Sequence, residues 1–306
     1  MDPFHEGEHR AQQLAGESEM AARLGAMIHD RIAEPARAFL AQRPMVIVAS
    51  EADDGSLWAS PLFGEAGLVR SSDGREVVFD LGRVARTAGD PFWSQVRVDA
   101  DVGILAIDPS ARRRLRVNVR ITSVGDAEIR AQVREAYPNC PKYIQRRRHR
   151  PAPIDPGRDA RVFAGRGLDA ERRALVERAD TFFVASAHSG RGADASHRGG
   201  PPGFVEVVGD ATLRVPDYPG NGMFNTLGNM LAQARAGATF VDFDRGRLLS
   251  LTGTARVLFD RDDPRGETAG TRRFWELEVE RWVDAPAPVS WRWELIDPSP
   301  HNPEPR

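Results

Sequence analysis

Apolar residues follow two different periods along the chain. Within residues 1–42 they recur at spacings of three, four and seven, as on one face of a helix, and this predicts helical structure. From Met45 onward the apolar runs become short, and Gly, Asp or Ser bounds each of them. These runs predict strands at 45–50, 67–69, 76–81, 102–107 and 115–124. Residues 127–137 predict a helix that ends before Pro138.

The second part of the chain repeats this order of elements. Residues 146–158 are rich in Arg and Pro and poor in apolar side chains, which predicts a linker. After that linker, a helix is predicted near 169–178, and strands are predicted at 181–187, 204–208, 238–243 and 248–259.

Short sequence matches support a duplication. Ala-Ser pairs that begin at positions 49 and 59 recur at 185 and 195, an offset of 136, and later matches are offset by 134. A period this long indicates duplicated domains and not a solenoid. We therefore predict two copies of one β-rich domain, in residues 1–150 and 151–306.

The fold class follows from the order of elements within one copy. The strands do not alternate with helices, which argues against a doubly wound sheet. Closing each small antiparallel sheet into a barrel removes its edges, and pairing two copies buries an apolar face. We expect a mainly β (α+β) protein of two tandem barrels with short flanking helices, paired as a pseudo-dimer within the chain.

Composition narrows the class of partner. The 306 residues carry a formal net charge of -2, so no overall positive field attracts nucleic acid. Apolar runs are strand-sized, so no membrane span is predicted. Cys140 is the single cysteine and forms no internal disulfide. With no visible secretory signal, we predict a cytoplasmic protein.

Two short motifs have more ordinary explanations. His5-Glu6-Gly7-Glu8-His9 fits the H-E-x-x-H pattern of zinc peptidases, but it contains a glycine and lacks a surrounding apolar helix face. We interpret it as a surface or domain-contact segment and predict no metal site. Gly165-x-Gly167 resembles a dinucleotide fingerprint, yet only a three-residue strand precedes it, so we predict a turn with Asp169 capping a helix.

The most informative region is 193–229, where short polar side chains are separated by glycines and prolines. Hydroxyl, amide and guanidinium groups near strand ends suit a phosphorylated, planar ligand with many hydrogen-bonding atoms. The alternative is a set of hairpin turns. The candidate cofactor-binding residues are Ser196, His197, Arg198, Gly199, Pro216, Asp217, Asn221, Asn225, Thr226 and Asn229.

The same residues carry a family resemblance. The sequences S-H-R-G-G-x-P-G-F-V from 196, P-D-Y-x-G-N from 216 and N-T-L-G-N from 225 resemble the pyridoxamine 5'-phosphate oxidase-related FMN-binding proteins of split β-barrel fold. The first copy is similar to them in residues 4–8, 107–109, 112–117 and 137–145, and the tail in residues 292–293 and 299–303.

This resemblance implies an FMN held where two barrels meet, with its phosphate bound by Arg, Lys and hydroxyl side chains. It implies a flavoprotein with oxidoreductase activity towards a small-molecule substrate or electron donor, acting as a monomeric pseudo-dimer or a homodimer. It assigns no catalytic residue, and it does not imply vitamin B6 oxidation, because the substrate-binding Arg and His of the oxidase are not found. The alternatives are a flavin-binding carrier or sensor without turnover, and a reductase that uses a deazaflavin. Because the first copy lacks the polar residues of the second, we expect one FMN per chain.

Overall fold

A computed structural model of the chain describes residues 2–153 and 159–304. The helices are α1 (Glu6–Ala15), α2 (Ser18–Gly25), α3 (Glu34–Ala41), α4 (Phe92–Gln95), α5 (Ala170–Arg178) and α6 (Asn225–Ala232). The strands before residue 153 are β1 (Met45–Glu51), β2 (Leu57–Gly64), β3 (Val69–Arg70), β4 (Glu76–Asp80), β5 (Val84–Ala85), β6 (Asp101–Asp108), β7 (Arg113–Val124), β8 (Glu128–Pro138) and β9 (Arg146–Pro151). The later strands are β10 (Phe163–Gly165), β11 (Thr181–His188), β12 (Gly192–Gly199), β13 (Glu206–Val208), β14 (Thr212–Pro216), β15 (Arg235–Asp242), β16 (Arg247–Leu258), β17 (Phe274–Pro286) and β18 (Trp291–Asp297).

Two large antiparallel sheets dominate the structure, and their strands follow the same order. The first sheet runs β3-β4-β8-β7-β6-β1-β2-β5, and the second runs β13-β14-β17-β16-β15-β11-β12. The prediction of a mainly β fold with short flanking helices is confirmed. None of the helices in the described ranges is long and apolar enough to cross a membrane.

Both faces of the central strands are buried, which explains their nearly continuous apolar sequences. On β1, Val46 and Val48 face the core of the first sheet, whereas Ile47 and Ala49 face the second sheet. On β11, Phe183 faces the first sheet in return. Each half therefore has its own core, and a third apolar layer joins the two halves.

The helix predicted at 127–137 is wrong, because these residues form strand β8. Its burial alternates, with Ile129, Ala131 and Val133 buried and the arginines at 130 and 134 exposed. Glu, Ala, Gln and Arg favour helices, but β8 pairs on one side with β7 and on the other with β4. Burial of its apolar face within the sheet outweighs the local helical preference.

The linker predicted at 146–158 is also wrong over its first six residues. They form strand β9, which pairs with β18 near the other end of the chain. Arg147 is buried and donates to Asp180 at 2.6 Å, which accounts for one arginine of this basic run. Residues 154–158 lie outside the described ranges, and the division of the chain into residues 1–150 and 151–306 stays a prediction.

The glycine motif at 165–170 is a turn, as predicted. The side chain of Asp169 accepts a hydrogen bond from the backbone N–H of Arg172 at 3.0 Å and caps α5. Gly167 has a positive φ of 67°. A left-handed residue followed by a capped helix is an ordinary connection between a strand and a helix.

Candidate functional site

A pocket lies between the two halves of the chain and draws its walls from both. The space among its lining residues, including open solvent at its mouth, is about 790 Å³. The second half contributes the end of β12, the turn after β14 and the start of α6. The first half contributes strand β7 and the loop that follows β8.

Eight of the ten predicted site residues line this pocket. They are His197, Arg198, Gly199, Pro216, Asp217, Asn221, Asn225 and Thr226. The other two, Ser196 and Asn229, are fully buried behind the pocket wall. Ser196 Oγ lies 2.8 Å from the hydroxyl of Thr226, and Asn229 donates to Asp194 at 2.8 Å. The fold thus brings the predicted residues together at or behind one pocket. Direct contact of any of them with a ligand stays a prediction.

Several other residues that line the pocket, among them four cations, were not in that set. Arg114 and Arg116 come from β7, Lys142 and Tyr143 from the loop after β8, and Arg273 from the segment before β17. Leu115 and Val117 face the core of the first half, so alternation along β7 turns the two arginines towards the second half. This alternation was the sequence signal that could have identified the two arginines, because charged residues that alternate with core residues on a strand face away from that core.

Arg116 is buried and holds several parts of the site together. It donates to Ser196 Oγ at 2.5 Å and to Asn225 Oδ1 at 3.3 Å. Burial lowers its pKa, but Tyr137 and Asp194 outweigh that effect, and the net shift is upward. Arg116 therefore stays charged beneath the pocket.

Arg114 is a cation without an acidic partner among the groups that shift its pKa. It donates through one terminal nitrogen to His197 Nδ1 at 3.2 Å. Burial lowers the pKa of Arg114 to about 9, and repulsion from Arg116 and Arg198 adds to the shift. An anion in the pocket would relieve this repulsion.

Arg198 is only partly compensated. Its guanidinium lies 3.7 Å from Asp217, which also accepts from Arg273 at 3.0 Å. Burial lowers the pKa of Arg198 even though Asp217 opposes the shift. Arg273 also pairs with Glu17 at 3.4 Å, whereas the long contact to the shared Asp217 is the ion pair that Arg198 makes within the described residues.

The Nε–H groups of Arg114, Arg116 and Arg198 share a further property. All three are buried and have no hydrogen-bond partner within the described part of the chain. A buried donor without a partner costs about 1–3 kcal/mol. Three such donors on cations that line one pocket are suited to the oxygens of an anionic ligand.

Helix α6 begins at the same pocket. Its N-cap, Phe224, has a left-handed backbone with φ 60°, and no side chain in the described ranges caps the helix. Asn225, Thr226 and Leu227, the first three helical residues, line the pocket. The free N–H groups and partial positive charge of a helix N-terminus favour an anion here.

The far side of the pocket is aromatic. Tyr143 and Tyr218 face one another with ring centroids 4.9 Å apart, and Phe204 lies 6.4 Å from Tyr218. Tyr143 has a positive φ of 65°, and its hydroxyl donates to the Pro219 carbonyl at 3.0 Å. The pocket thus joins a cationic end to an aromatic wall, and Cys140 lines it as a free thiol.

The N-terminal H-E-x-x-H sequence is a contact segment between the halves. His5 caps α1, and Glu8 completes a capping box with it. His5 Nδ1 accepts from the Gly7 N–H at 3.1 Å, so its Nε2–H donates to Asn229 at 2.8 Å. His9 instead meets exposed Asp2. The two histidines do not converge, so the zinc-peptidase geometry is absent from this described segment.

His5, Glu6 and His188 do place their ligand atoms within 4.8 Å of one another. His188 Nδ1 also accepts a backbone N–H, from Gly190 at 3.0 Å, while its Nε2 faces Glu6 at 2.9 Å. Backbone donors therefore use the lone pair of each ring. Neither histidine has a free lone pair for a metal ion.

No protein-family profile and no curated protein matches the sequence. Among solved structures, the chain is similar to HupZ of Group A Streptococcus, with 15% identity over 37% of this chain and 90% of HupZ and a TM-score of 0.30. A putative pyridoxamine 5'-phosphate oxidase from Lactobacillus delbrueckii has 15% identity over 38% of this chain and 93% of its own, with a TM-score of 0.30. A FAD-binding protein from Mesorhizobium loti has 15% identity over 40% of this chain and 96% of its own, with a TM-score of 0.28.

Proposed function

We propose that this chain is an FMN-binding flavoprotein of the pyridoxamine 5'-phosphate oxidase-related, split β-barrel type, with one FMN in the pocket between its two halves. The observation that carries the proposal is the set of three buried Nε–H donors on Arg114, Arg116 and Arg198. A phosphate dianion supplies the acceptor oxygens that these groups lack and the acidic partner that Arg114 lacks. The matching strand order of the two sheets supports the pseudo-dimer.

Each wall of the pocket has a role in this proposal. The three arginines and the start of α6 bind the phosphate. The amides of Asn139 and Asn221, which lie 3.4 Å apart at the pocket, offer donors and acceptors to a polar ring edge. Tyr143 and Tyr218 together cover one side of the ring and shield it from water. When bound, the flavin supplies hydride and electron transfer, and the protein orients it.

Oxidoreductase activity towards a small-molecule substrate is the favoured activity. A flavin carrier or sensor without turnover uses the same pocket, and so does a reductase that binds a phosphorylated deazaflavin. NADH or NADPH oxidation under oxygen distinguishes an enzyme from a carrier. The absorbance spectrum and mass of the copurified ligand distinguish FMN from a deazaflavin.

The proposal is tested by titrating ligand-free protein with FMN and, in parallel, with riboflavin. We expect FMN to saturate at one per chain and riboflavin to bind at least tenfold more weakly, because riboflavin lacks the phosphate. Equal affinity for the two ligands would show that the arginines do not bind the phosphate. Saturation at two FMN per chain would show that the first half also binds.

A further inference from the structure

His197 lies in the pocket wall with one ring nitrogen held by an arginine. It sits on β12 opposite Phe183, and its ring meets that phenyl ring edge to face at 5.8 Å. Arg114 places a terminal nitrogen 3.2 Å from His197 Nδ1. A guanidinium has only donors, so Nδ1 must be the acceptor in this contact. The ring proton of a neutral His197 therefore lies on Nε2.

The surroundings keep this imidazole neutral. His197 is 4% exposed. Burial lowers its pKa well below the ordinary value of 6.5, and the charges of Arg114, Arg198 and Arg147 lower it further. A neutral imidazole has one donor and one acceptor, and Arg114 already uses the acceptor.

The remaining donor has no partner within the protein as far as the chain is described. His197 Nε2 is buried without a hydrogen bond, while the residue lines the pocket. Gly199 packs closely beside the ring: a Cβ at this glycine would lie 3.1 Å from His197 Cε1 and 2.0 Å from the Tyr143 carbonyl oxygen. The ring is therefore confined, and Nε2 of this pocket-lining residue is the ring nitrogen that is left without a partner.

We propose that His197 donates a hydrogen bond from Nε2 to an oxygen acceptor of the bound ligand, and that Arg114 acts as a positioning residue by fixing this tautomer. The inference rests on the proposed function for the identity of the ligand. It separates the roles of the pocket cations, because Arg114 then acts partly through His197, whereas Arg116 and Arg198 act on the phosphate.

The tautomer can be tested without any flavin. Long-range ¹H–¹⁵N spectra of the ligand-free protein at pH 7 report which nitrogen of each histidine carries the proton, and the His197→Gln variant identifies the His197 signals. We expect Nε2–H in the parent and a mixture of tautomers in Arg114→Met, which cannot donate. An Nδ1–H tautomer or an imidazolium in the parent would overturn the proposal.

The contact to the ligand is tested with two substitutions at one position. Leucine removes the donor, whereas the amide of glutamine restores an N–H near the place of Nε2. We expect His197→Leu to weaken FMN binding at least tenfold and His197→Gln to weaken it less than threefold. Equal FMN affinity in the parent and in His197→Leu would overturn the contact. If the leucine variant does not fold, a shift of the Nε2–H resonance in the parent on adding FMN serves as the test, and an unchanged resonance would overturn the contact.

Riboflavin locates the acceptor. If His197→Leu weakens FMN but leaves riboflavin unchanged, the acceptor is a phosphate oxygen, and if both are weakened, it is an oxygen of the ring or the ribityl chain. Either result supports the donor role. A parent protein that binds no FMN would refute the proposed function, while the ligand-free spectra would still decide the tautomer.

Discussion

Two serines occupy equivalent places in the two halves, and their surroundings differ. Ser196 on β12 lies opposite Val184 of the neighbouring strand, and Ser60 on β2 lies opposite Val48 in the same register. Both are buried. In sequence they are separated by 136 residues, the offset of the internal matches. The two positions can therefore be compared directly.

The hydroxyl partners differ in charge. Ser196 accepts from the cation Arg116, and the pocket opens beside it. Ser60 instead donates to the Asp90 carboxylate at 2.6 Å, and the same oxygen accepts from the Phe92 N–H at the start of α4 at 2.9 Å. The phenyl ring of Phe92 is fully buried. In the first half, the protein's own acid and aromatic ring occupy the equivalent position.

The cations differ in the same way. Two residues after the serine, the second half has Arg198 and the first half has Leu62. On the matching strands β7 and β16, Arg116 corresponds to Ser250 at an offset of 134. The pocket beside Ser196 has unpaired donors and positive charge. The equivalent position beside Ser60 has a carboxylate that accepts hydrogen bonds from the protein itself. The difference shows that equivalent strands leave an open pocket with unpaired donors in one half and a filled position in the other.

The largest effect is expected from Arg198→Ala. Truncating one member of a buried charge pair costs about 2–5 kcal/mol, so the dissociation constant for FMN should rise at least about thirtyfold. Fluorescence titration measures it, with Arg256→Ala as a control because Arg256 is 69% exposed and lies outside the pocket. An unchanged dissociation constant would remove Arg198 from the proposed phosphate site.

The buried carboxyl of Asp90 beside Ser60 should make the stability of the protein depend on pH. Burial raises the pKa of Asp90 to about 6 from its ordinary 3.8, so the folded state binds this proton more tightly than the unfolded state. The free energy of unfolding should therefore fall as pH rises from about 4 to about 6 and level off above, by about 3 kcal/mol. Asp90→Asn does not titrate and should lack this component. Urea unfolding of both proteins from pH 4 to pH 7 measures it, and a constant difference between them would contradict it.

A smaller effect is expected from Gly199→Ala, which tests how closely the residues around the pocket are packed. The added Cβ would lie 2.0 Å from the Tyr143 carbonyl oxygen, so the loop after β8 has to move. Overpacking of this kind costs about 1–3 kcal/mol. Thermal unfolding measures the loss, and Gly82→Ala is the control because its new Cβ meets only Asp80 Oδ1, at 3.4 Å. Similar losses in the two variants would show that Gly199 is not needed for close packing.

The smallest effects concern the N-terminal histidines. His5→Ala removes a helix cap and should destabilise the protein by about 1 kcal/mol. His9 is exposed and contacts the exposed Asp2 and the Phe4 ring, so His9→Ala should change stability by less than about 0.5 kcal/mol. Metal content should stay at background in both variants and in the parent. Stoichiometric zinc that is lost on substitution would contradict the capping role.

The sequence predicted the elements that have a single clear period. The strand runs at 45–50 and 181–187 correspond to β1 and β11, and Asp169 caps α5 as expected. The strand β8 was predicted as a helix because its Glu, Ala, Gln and Arg residues have helical preferences that only pairing with β7 and β4 overrides. The pairing with β4 depends on residues distant in sequence, so local preference did not reveal it.

Only the part of the candidate site that the second half contributes was predicted, for a similar reason. The polar cluster in the second half is visible as a composition in one stretch of sequence, and eight of its ten residues line the pocket. Arg114 and Arg116 lie more than 80 residues before His197 in the chain, and only the packing of β7 against β12 brings them together. A pocket built between two halves cannot be found from one half alone.

Both walls of the pocket belong to one polypeptide, and this affects how the site responds to dilution. A site between separate subunits is lost when the subunits dissociate at low concentration. Here β7 and β12 belong to the same chain, so the apolar layer between the halves forms without an encounter between two molecules. The assembly of this pocket is therefore a unimolecular step, and ligand affinity should be the same at nanomolar and at micromolar protein.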